Sequence, residues 1–506
     1  MPQIPRVTSL LRAFDSTFAA RAAAPALECV DADGTALRLT FGAVDARARR
    51  AQAWLRAHGV TAGDCVVAHL GNEPAFIDLL IACLREAVIL VPANVMYRAR
   101  EMAHIVGTTG ARLVVTREPD VFDAGVPTVT PDAWAKAAGE DAPEVTRPWP
   151  AMAFDDDTPA LVVFTSGTTG RAKGAVLSHG NVLANARNLV EAWRITANDR
   201  YLAVLPLFHV HGLANGLGTW LLSGNQMRLE ARFDAARAAG WFAAFQPTLF
   251  FGVPTIYVRM LEWPAEVATA VSRSMRLFVS GSAPLPAHVL EAFRAKFGST
   301  ILERYGMSET LMNLGNPYDG ERRPGSVGLP FANVQARVVD EHGRAVADGT
   351  VGELEVQGPN VFHRYWSDPD ATHKAFHDVW FRTGDLAERA ADGYYTLRGR
   401  RGDLIIAGGF NIYPREIEEV LLEQPGVQEA VVVGAPDPVR GEVPVAYVVL
   451  APSPAAPAPT DESLRAACSR TLAAFKLPKA FIRVDSLPRT ALGKVQKHLL
   501  PPWTPR

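Results

Sequence analysis

The segment Thr165-Ser166-Gly167-Thr168-Thr169-Gly170-Arg171-Ala172-Lys173-Gly174 directly follows the apolar run ALVVF and carries four hydroxyls, three glycines and a lysine. Small residues let consecutive backbone N–H groups turn toward one anion, and the hydroxyls and Lys173 add further donors. Such a loop is suited to cradling a polyphosphate. It is not a Walker A loop, because Ala172 stands where that motif places a glycine before its lysine.

TSGTTGRAKG is similar to the signature loop of the adenylate-forming superfamily, which includes acyl-CoA synthetases, peptide-synthetase adenylation domains and luciferases. The resemblance runs from about Thr40 to Lys497, with later motifs in the family's order. It implies activation of a carboxylic acid by ATP as an acyl-adenylate, then transfer to a thiol, that of coenzyme A. Joining two anions has a largely electrostatic barrier, so the site must supply cations, a metal and oriented donors. By this resemblance the ATP-binding set comprises Thr165, Ser166, Gly167, Thr168, Thr169, Gly170 and Lys173 of the loop, with Gly281, Ser282 and Ala283 lining an adenine pocket. In that pocket the small residues let a flat ring lie against the backbone. The set continues in Glu303, Arg304, Tyr305, Gly306 and Ser308, where Tyr305 stacks on adenine and Ser308 meets phosphate. Glu309, with Thr169, is the implied Mg²⁺ ligand, a carboxylate suiting this hard cation. Asp385 of Thr383-Gly384-Asp385 accepts from the ribose hydroxyls, and Arg400 of Gly399-Arg400 contacts ribose and phosphate.

Lys494 of Pro488-Arg489-Thr490-Ala491-Leu492-Gly493-Lys494 is the implied catalytic lysine, bridging carboxylate and α-phosphate, with Glu309 as its catalytic partner. Neutralising it, as a lysine acetyltransferase would and a deacetylase would reverse, is expected to switch the enzyme off. Gly408, Gly409 and Phe410 resemble the segment beside the pantetheine arm of CoA. The pivot between the two parts of such enzymes is usually Asp or Lys. Here it is Gly402.

The acid pocket is where members of this superfamily differ. Leu205–Gly212 carries His209 and His211, Arg259 follows the run FGVPT, and Arg304 and Met307 flank Tyr305. A fatty or aromatic acid gains nothing from a buried guanidinium, whereas a second carboxylate satisfies it in bidentate geometry. FHVHGL, GVPTIYVR and LERYGMSETLMNLGNPYDGERRPGSVG resemble malonyl-CoA synthetases, so malonate or methylmalonate is the expected substrate. Arg259 either caps its own helix or reaches the acid, and Arg304 either pairs with Glu303 or Glu309 or reaches the acid. The alternatives are a short-chain monocarboxylate or aryl-acid CoA ligase, an adenylation enzyme loading a carrier protein in trans, and a non-catalytic nucleotide-binding relative. Presence of Glu309, Asp385, Arg400 and Lys494 together disfavours the last.

Positioning these residues falls to a chain of 506 residues, too long for one hydrophobic core. From about 40 to 390, helical patterns alternate with short apolar runs such as DCVVAHL, ALVVFTSG, RYLAVLPL and MRLFVSG, an α/β signature. Past Asp340 the runs alternate and are broken by glycine, as in antiparallel hairpins. The expected architecture is a large N-terminal domain, 1–400, of helix-covered sheets plus a β-barrel-like part. A small mobile α+β C-terminal lid, 401–506, completes it. A net charge of −2 gives no global field for nucleic acid or an anionic membrane, so substrate anions must be held locally. The four scattered cysteines form neither a disulfide framework nor a zinc pattern and point to a reducing compartment. The N-terminus lacks a secretory core, and the apolar stretch from Phe76 to Val95 is broken by Asp78, Arg85 and Glu86. A cytoplasmic enzyme is expected.

Overall fold

The computed structural model describes residues 10–30, 35–119, 125–136, 155–165, 172–408, 410–451, 458–490 and 494–503. Among them, a nine-stranded sheet runs, in spatial order, Leu329–Pro330, Leu311–Gly315, Leu302–Met307, Leu277–Ser280, Leu249–Gly252, Arg200–Ala203, Gln226–Leu229, Pro25–Val30 and Ala36–Thr40. Its central strands are parallel and largely buried, as covering of both faces by helices requires, with Arg228, Ser280, Glu303 and Arg304 as buried polar exceptions. A seven-stranded sheet runs Arg364–Tyr365, Lys173–Ser178, Pro159–Thr165, Ile89–Pro92, Cys65–His69, Leu113–Thr116 and Thr128–Val129. One hydrophobic core, from Leu10 to Tyr395, joins both. The segment from Phe76 to Val95 is the helix Pro74–Glu86 running into the strand Ile89–Pro92, with Asp78 held by Arg47 at 2.7 Å. No helix among the described residues is long and apolar enough to cross a membrane.

The barrel-like part is an antiparallel five-stranded sheet built from Gln335–Val339, Gly352–Gln357, Phe376–His377, Trp380–Arg389 and Tyr395–Arg400. From Ile405 onward the chain forms its own five-stranded sheet, covered by the helices Pro414–Leu422 and Asp461–Thr471. Two separate small cores fill that unit, and no residue before 405 enters them.

One local difference from the sequence reading matters for the site. RYLAVLPL is a strand only as far as Ala203, after which Pro206 ends extended pairing and the chain winds into a π-helix, His211–Leu217.

Candidate active site

The phosphate loop links two antiparallel strands in which Thr165 pairs with Lys173. It is therefore a hairpin loop, unlike the strand-to-helix turn of a Walker A motif. Ser166, Gly167, Thr168, Thr169 and Gly170 lie outside the described residues, as does Gly409. At the loop's far end the Lys173 ammonium sits over the Tyr365 ring, 5.4 Å from its centroid. The Tyr365 hydroxyl donates to Glu309 Oε1 at 3.0 Å. Tyr365 lies opposite Ala175 in the neighbouring strand, which makes Lys173 its diagonal neighbour on the same face. Thus three distant stretches of chain meet at Tyr365.

The strand Leu302–Met307 supplies the next group. Its alternation sends Glu303 and Arg304 to opposite faces, and both are buried. Glu303 accepts from the Leu285 N–H at 3.0 Å through Oε1, while Oε2 has no partner. Burial, only partly offset by Arg415, raises this carboxyl to about 7. Tyr305 donates its hydroxyl to Asp385. Asp385 also pairs with Arg400 at 2.8 Å, and Arg400 donates to the Thr383 carbonyl at 3.0 Å. Burial raises the Asp385 pKa, opposed by Arg400, Tyr305 and Lys494. At Gly306 the strand bulges and the backbone closes on itself: an added Cβ would lie 1.8 Å from the Leu311 carbonyl oxygen, and Leu311 takes φ +53°. Met307 and Ser308 follow, half-buried, with Met307 Sδ 4.0 Å from the Tyr305 hydroxyl.

Lys494 reaches this cluster from the C-terminal unit. Desolvation among the surrounding protein groups and then Arg400 push its pKa down, while Asp385 and Glu309 oppose them. Four motif residues distant in sequence (Glu309, Asp385, Arg400 and Lys494) therefore share one field.

Arg304 is the exceptional group. It is 3% exposed, makes no ion pair within 4 Å among the described residues, and leaves Nε and Nη2 without partners. The expected pairing with Glu303 or Glu309 does not form, because the first faces the other side of the strand and the second is held by Tyr365. Gly281 makes room for the guanidinium: a Cβ there would fall 2.3 Å from Arg304 Cζ. The flat group against this glycine is thus a guanidinium. Burial lowers the Arg304 pKa to about 9.

The two histidines line the same space. The His211 N–H donates to His209 Nδ1 at 3.3 Å, which leaves the proton of neutral His209 on Nε2. Burial, then Lys494 and Arg304, pushes His209 down to about 3, so it stays neutral. His211 Nδ1 lies 3.1 Å from Ser282 Oγ, and its Nε2 is buried without a partner. Ser282 holds φ +69°, a strained conformation for a non-glycine residue. Ala283 follows it, half-buried. The π-turn that carries His211 exists because Gly212 packs on the Pro206 carbonyl, where a Cβ would sit 2.4 Å away.

Arg259 is not part of this pocket. The helix Pro254–Met260 buries Tyr257 and exposes Arg259, since residues two apart on a helix face nearly opposite ways. Gly408 and the 54%-exposed Phe410, which stacks on Phe475 at 4.5 Å, lie on the surface of the C-terminal unit. The sequence reading missed Tyr365, which stands in no motif it considered.

The AMP-binding enzyme model matches residues 14–366, and the model for the C-terminal domain of those enzymes matches residues 416–494. The chain belongs to the AMP-binding enzyme family. It is an AMP-forming acyl-CoA synthetase, using ATP and CoA. A sulfoacetate–CoA ligase of Cupriavidus necator is 38% identical, covering 91% of each chain. A malonate–CoA ligase of Arabidopsis thaliana is 37% identical over 68% of this chain and 60% of that one. The ATP-bound crystal structure of MatB from Rhodopseudomonas palustris aligns with TM-score 0.87 at 36% identity, covering 96% of this chain and 97% of that one. The apo form of the same protein aligns at only 0.79.

Proposed function

We propose that this acyl-CoA synthetase activates a small acid bearing a second anionic group beside the reacting carboxylate, with malonate or methylmalonate as its substrate. The observation that carries the reading is Arg304, a buried guanidinium with two unpartnered nitrogens. An unpaired buried charge is costly, and an anion delivered by the substrate offsets that cost. His211 Nε2, also buried and unpartnered, and the His209 Nε2–H complete a neutral ring of polar groups around it. A sulfonate meets the same requirement with three oxygens, which brings sulfoacetate into the same class. Butyrate and feruloyl-type acids leave the charge unanswered.

In the first half-reaction the substrate carboxylate attacks the α-phosphorus of ATP and pyrophosphate leaves. In the second, the CoA thiol attacks the acyl carbon and AMP leaves. Tyr305 and Glu303 hold adenine, Asp385 and Arg400 hold ribose, and Thr165, Lys173 and the loop hold the phosphates. Lys494 draws the two reacting anions together. Glu309 offers a buried hard oxygen suited to Mg²⁺, which when bound offsets the phosphate charge. The division at about residue 400, with Gly402 as pivot, lets the C-terminal unit present Lys494 first and then Gly408, Gly409 and Phe410 to CoA. Acetylation of Lys494 silences the first step.

The test is a panel of acids supplied with ATP, Mg²⁺ and CoA, with AMP release as readout. Malonate, methylmalonate or sulfoacetate should give the highest kcat/KM. Preference for butyrate or an aryl acid overturns the assignment.

A further inference from the structure

Tyr365 touches two parts of the phosphate machinery at once. Its hydroxyl donates to Glu309 Oε1 at 3.0 Å, and its ring carries the Lys173 ammonium at 5.4 Å from the centroid. Nothing about its sequence context requires a tyrosine for packing alone. The ring lies edge-on to Phe362, with centroids 4.8 Å apart, a contact that phenylalanine would make equally well. Its backbone N–H is fixed by Thr372 Oγ1 at 2.9 Å, and its strand is registered on the one that begins with Lys173. The side chain is therefore set by two independent anchors before any nucleotide arrives.

We infer that Tyr365 is a positioning residue that aims Glu309 at the divalent cation and Lys173 at the phosphates of ATP. The inference rests on the reading of Glu309 as a magnesium ligand. Among the described residues Glu309 is otherwise hydrogen-bonded through its backbone, whose carbonyl accepts from the Phe362 N–H at 2.8 Å. An ionised carboxylate with one oxygen fixed by a neutral hydroxyl keeps its charge and loses rotational freedom. The remaining oxygen is then presented in one direction, as partners of metal-ligating groups commonly arrange. Above the ring, Lys173 is held by its quadrupole, and no acid among the described residues forms an ion pair with it, so its charge is left for the phosphates. A carboxylate in place of the ring would compete with the triphosphate for this lysine. The aromatic face orients the lysine and leaves it available.

Two substitutions separate the two roles. Tyr365→Phe removes the hydroxyl and keeps the face under Lys173, whereas Tyr365→Leu removes both. Binding is read without turnover: Mn²⁺ affinity of the enzyme–ATP complex by electron paramagnetic resonance, and metal-free ATP affinity by calorimetry, with circular dichroism melts confirming that each variant folds. For Tyr365→Phe, Mn²⁺ affinity should fall about tenfold, with metal-free ATP binding within twofold of wild type. Tyr365→Leu should weaken metal-free ATP binding as well. Wild-type Mn²⁺ affinity in a folded Tyr365→Phe overturns the inference, as does an equal loss of both affinities in that variant. If Mn²⁺ binds the wild-type complex but Glu309→Gln does not weaken it, the metal-ligand reading itself fails, whatever Tyr365→Phe does.

Discussion

Replacing Arg304 by leucine removes a guanidinium whose Nε and Nη2 have no partner among the described residues. With a second carboxylate in place, those two nitrogens would form charge-assisted hydrogen bonds in a desolvated site. Losing them costs roughly 2 to 4 kcal/mol of transition-state binding, or about 30- to 1,000-fold in kcat/KM for malonate. Butyrate never used the charge, so its kcat/KM should hold or rise. The malonate-to-butyrate ratio is therefore the quantity to measure, in wild type and in Arg304→Leu. Gly281→Ala offers an independent route to the same end, because its Cβ would fall 2.3 Å from Arg304 Cζ and displace the group without removing it. The empty enzyme should respond in the opposite sense. Removing an uncompensated buried charge should stabilise it by on the order of 1 to 3 kcal/mol, seen as a higher midpoint in urea. A ratio unmoved by both variants refutes the reasoning, and so does an Arg304→Leu protein less stable than wild type.

Lys494→Ala should reduce acyl-adenylate formation about a thousandfold, the worth of a contact of roughly 4 kcal/mol, while largely sparing CoA capture of a preformed adenylate. Equal loss of both half-reactions would show that the lysine serves another purpose. Gly402 lies between two ion pairs, Arg401–Glu353 at 2.8 Å on one side and Asp403–Lys497 at 2.8 Å on the other. Those pairs confine rotation to the glycine, so Gly402→Pro should slow thioester formation more than adenylation, as rapid-quench assays of each step would reveal. Glu303 gives a pH signature. Its carboxyl lies near 7 in the folded chain against an ordinary 4.5, so the unfolded chain gives up this proton first as pH rises. Between those values folding loses stability, about 3 kcal/mol in total, which Glu303→Gln should abolish. Denaturation midpoints measured at pH 4.5 and pH 7.5 check it, and an unchanged difference in the variant would count against the buried acid.

The motif residues could be picked out in the sequence because they stand in local runs: a glycine-rich hairpin, the strand that carries Tyr305, and Asp385 directly after Gly384. The alternation of helices and apolar strands likewise gave the α/β layers and the separate C-terminal unit. What failed was direction. Arg259 and Tyr257 are two residues apart on one short helix, and only the phase of that helix decides which of them faces the pocket. Arg304 was read from the sequence as a cation of the acid pocket, but that its Nε and Nη2 lack partners among the described residues depends on strand alternation and on space left by Gly281, over twenty residues away. Tyr365 acts through a two-residue strand paired to the phosphate hairpin. Such pairing has no periodic signal. The π-turn that begins at His211 was equally hidden, since no residue periodicity marks it.

The central claim is that a second anion on the acid is what this pocket recognises. ATP–pyrophosphate exchange in the absence of CoA, run with malonate, sulfoacetate and butyrate at equal concentrations, isolates the adenylation step that Arg304 serves. The account predicts exchange with malonate or sulfoacetate at least thirtyfold above butyrate, on the scale of two charge-assisted contacts. Exchange with butyrate equal to or above both dianions would contradict it.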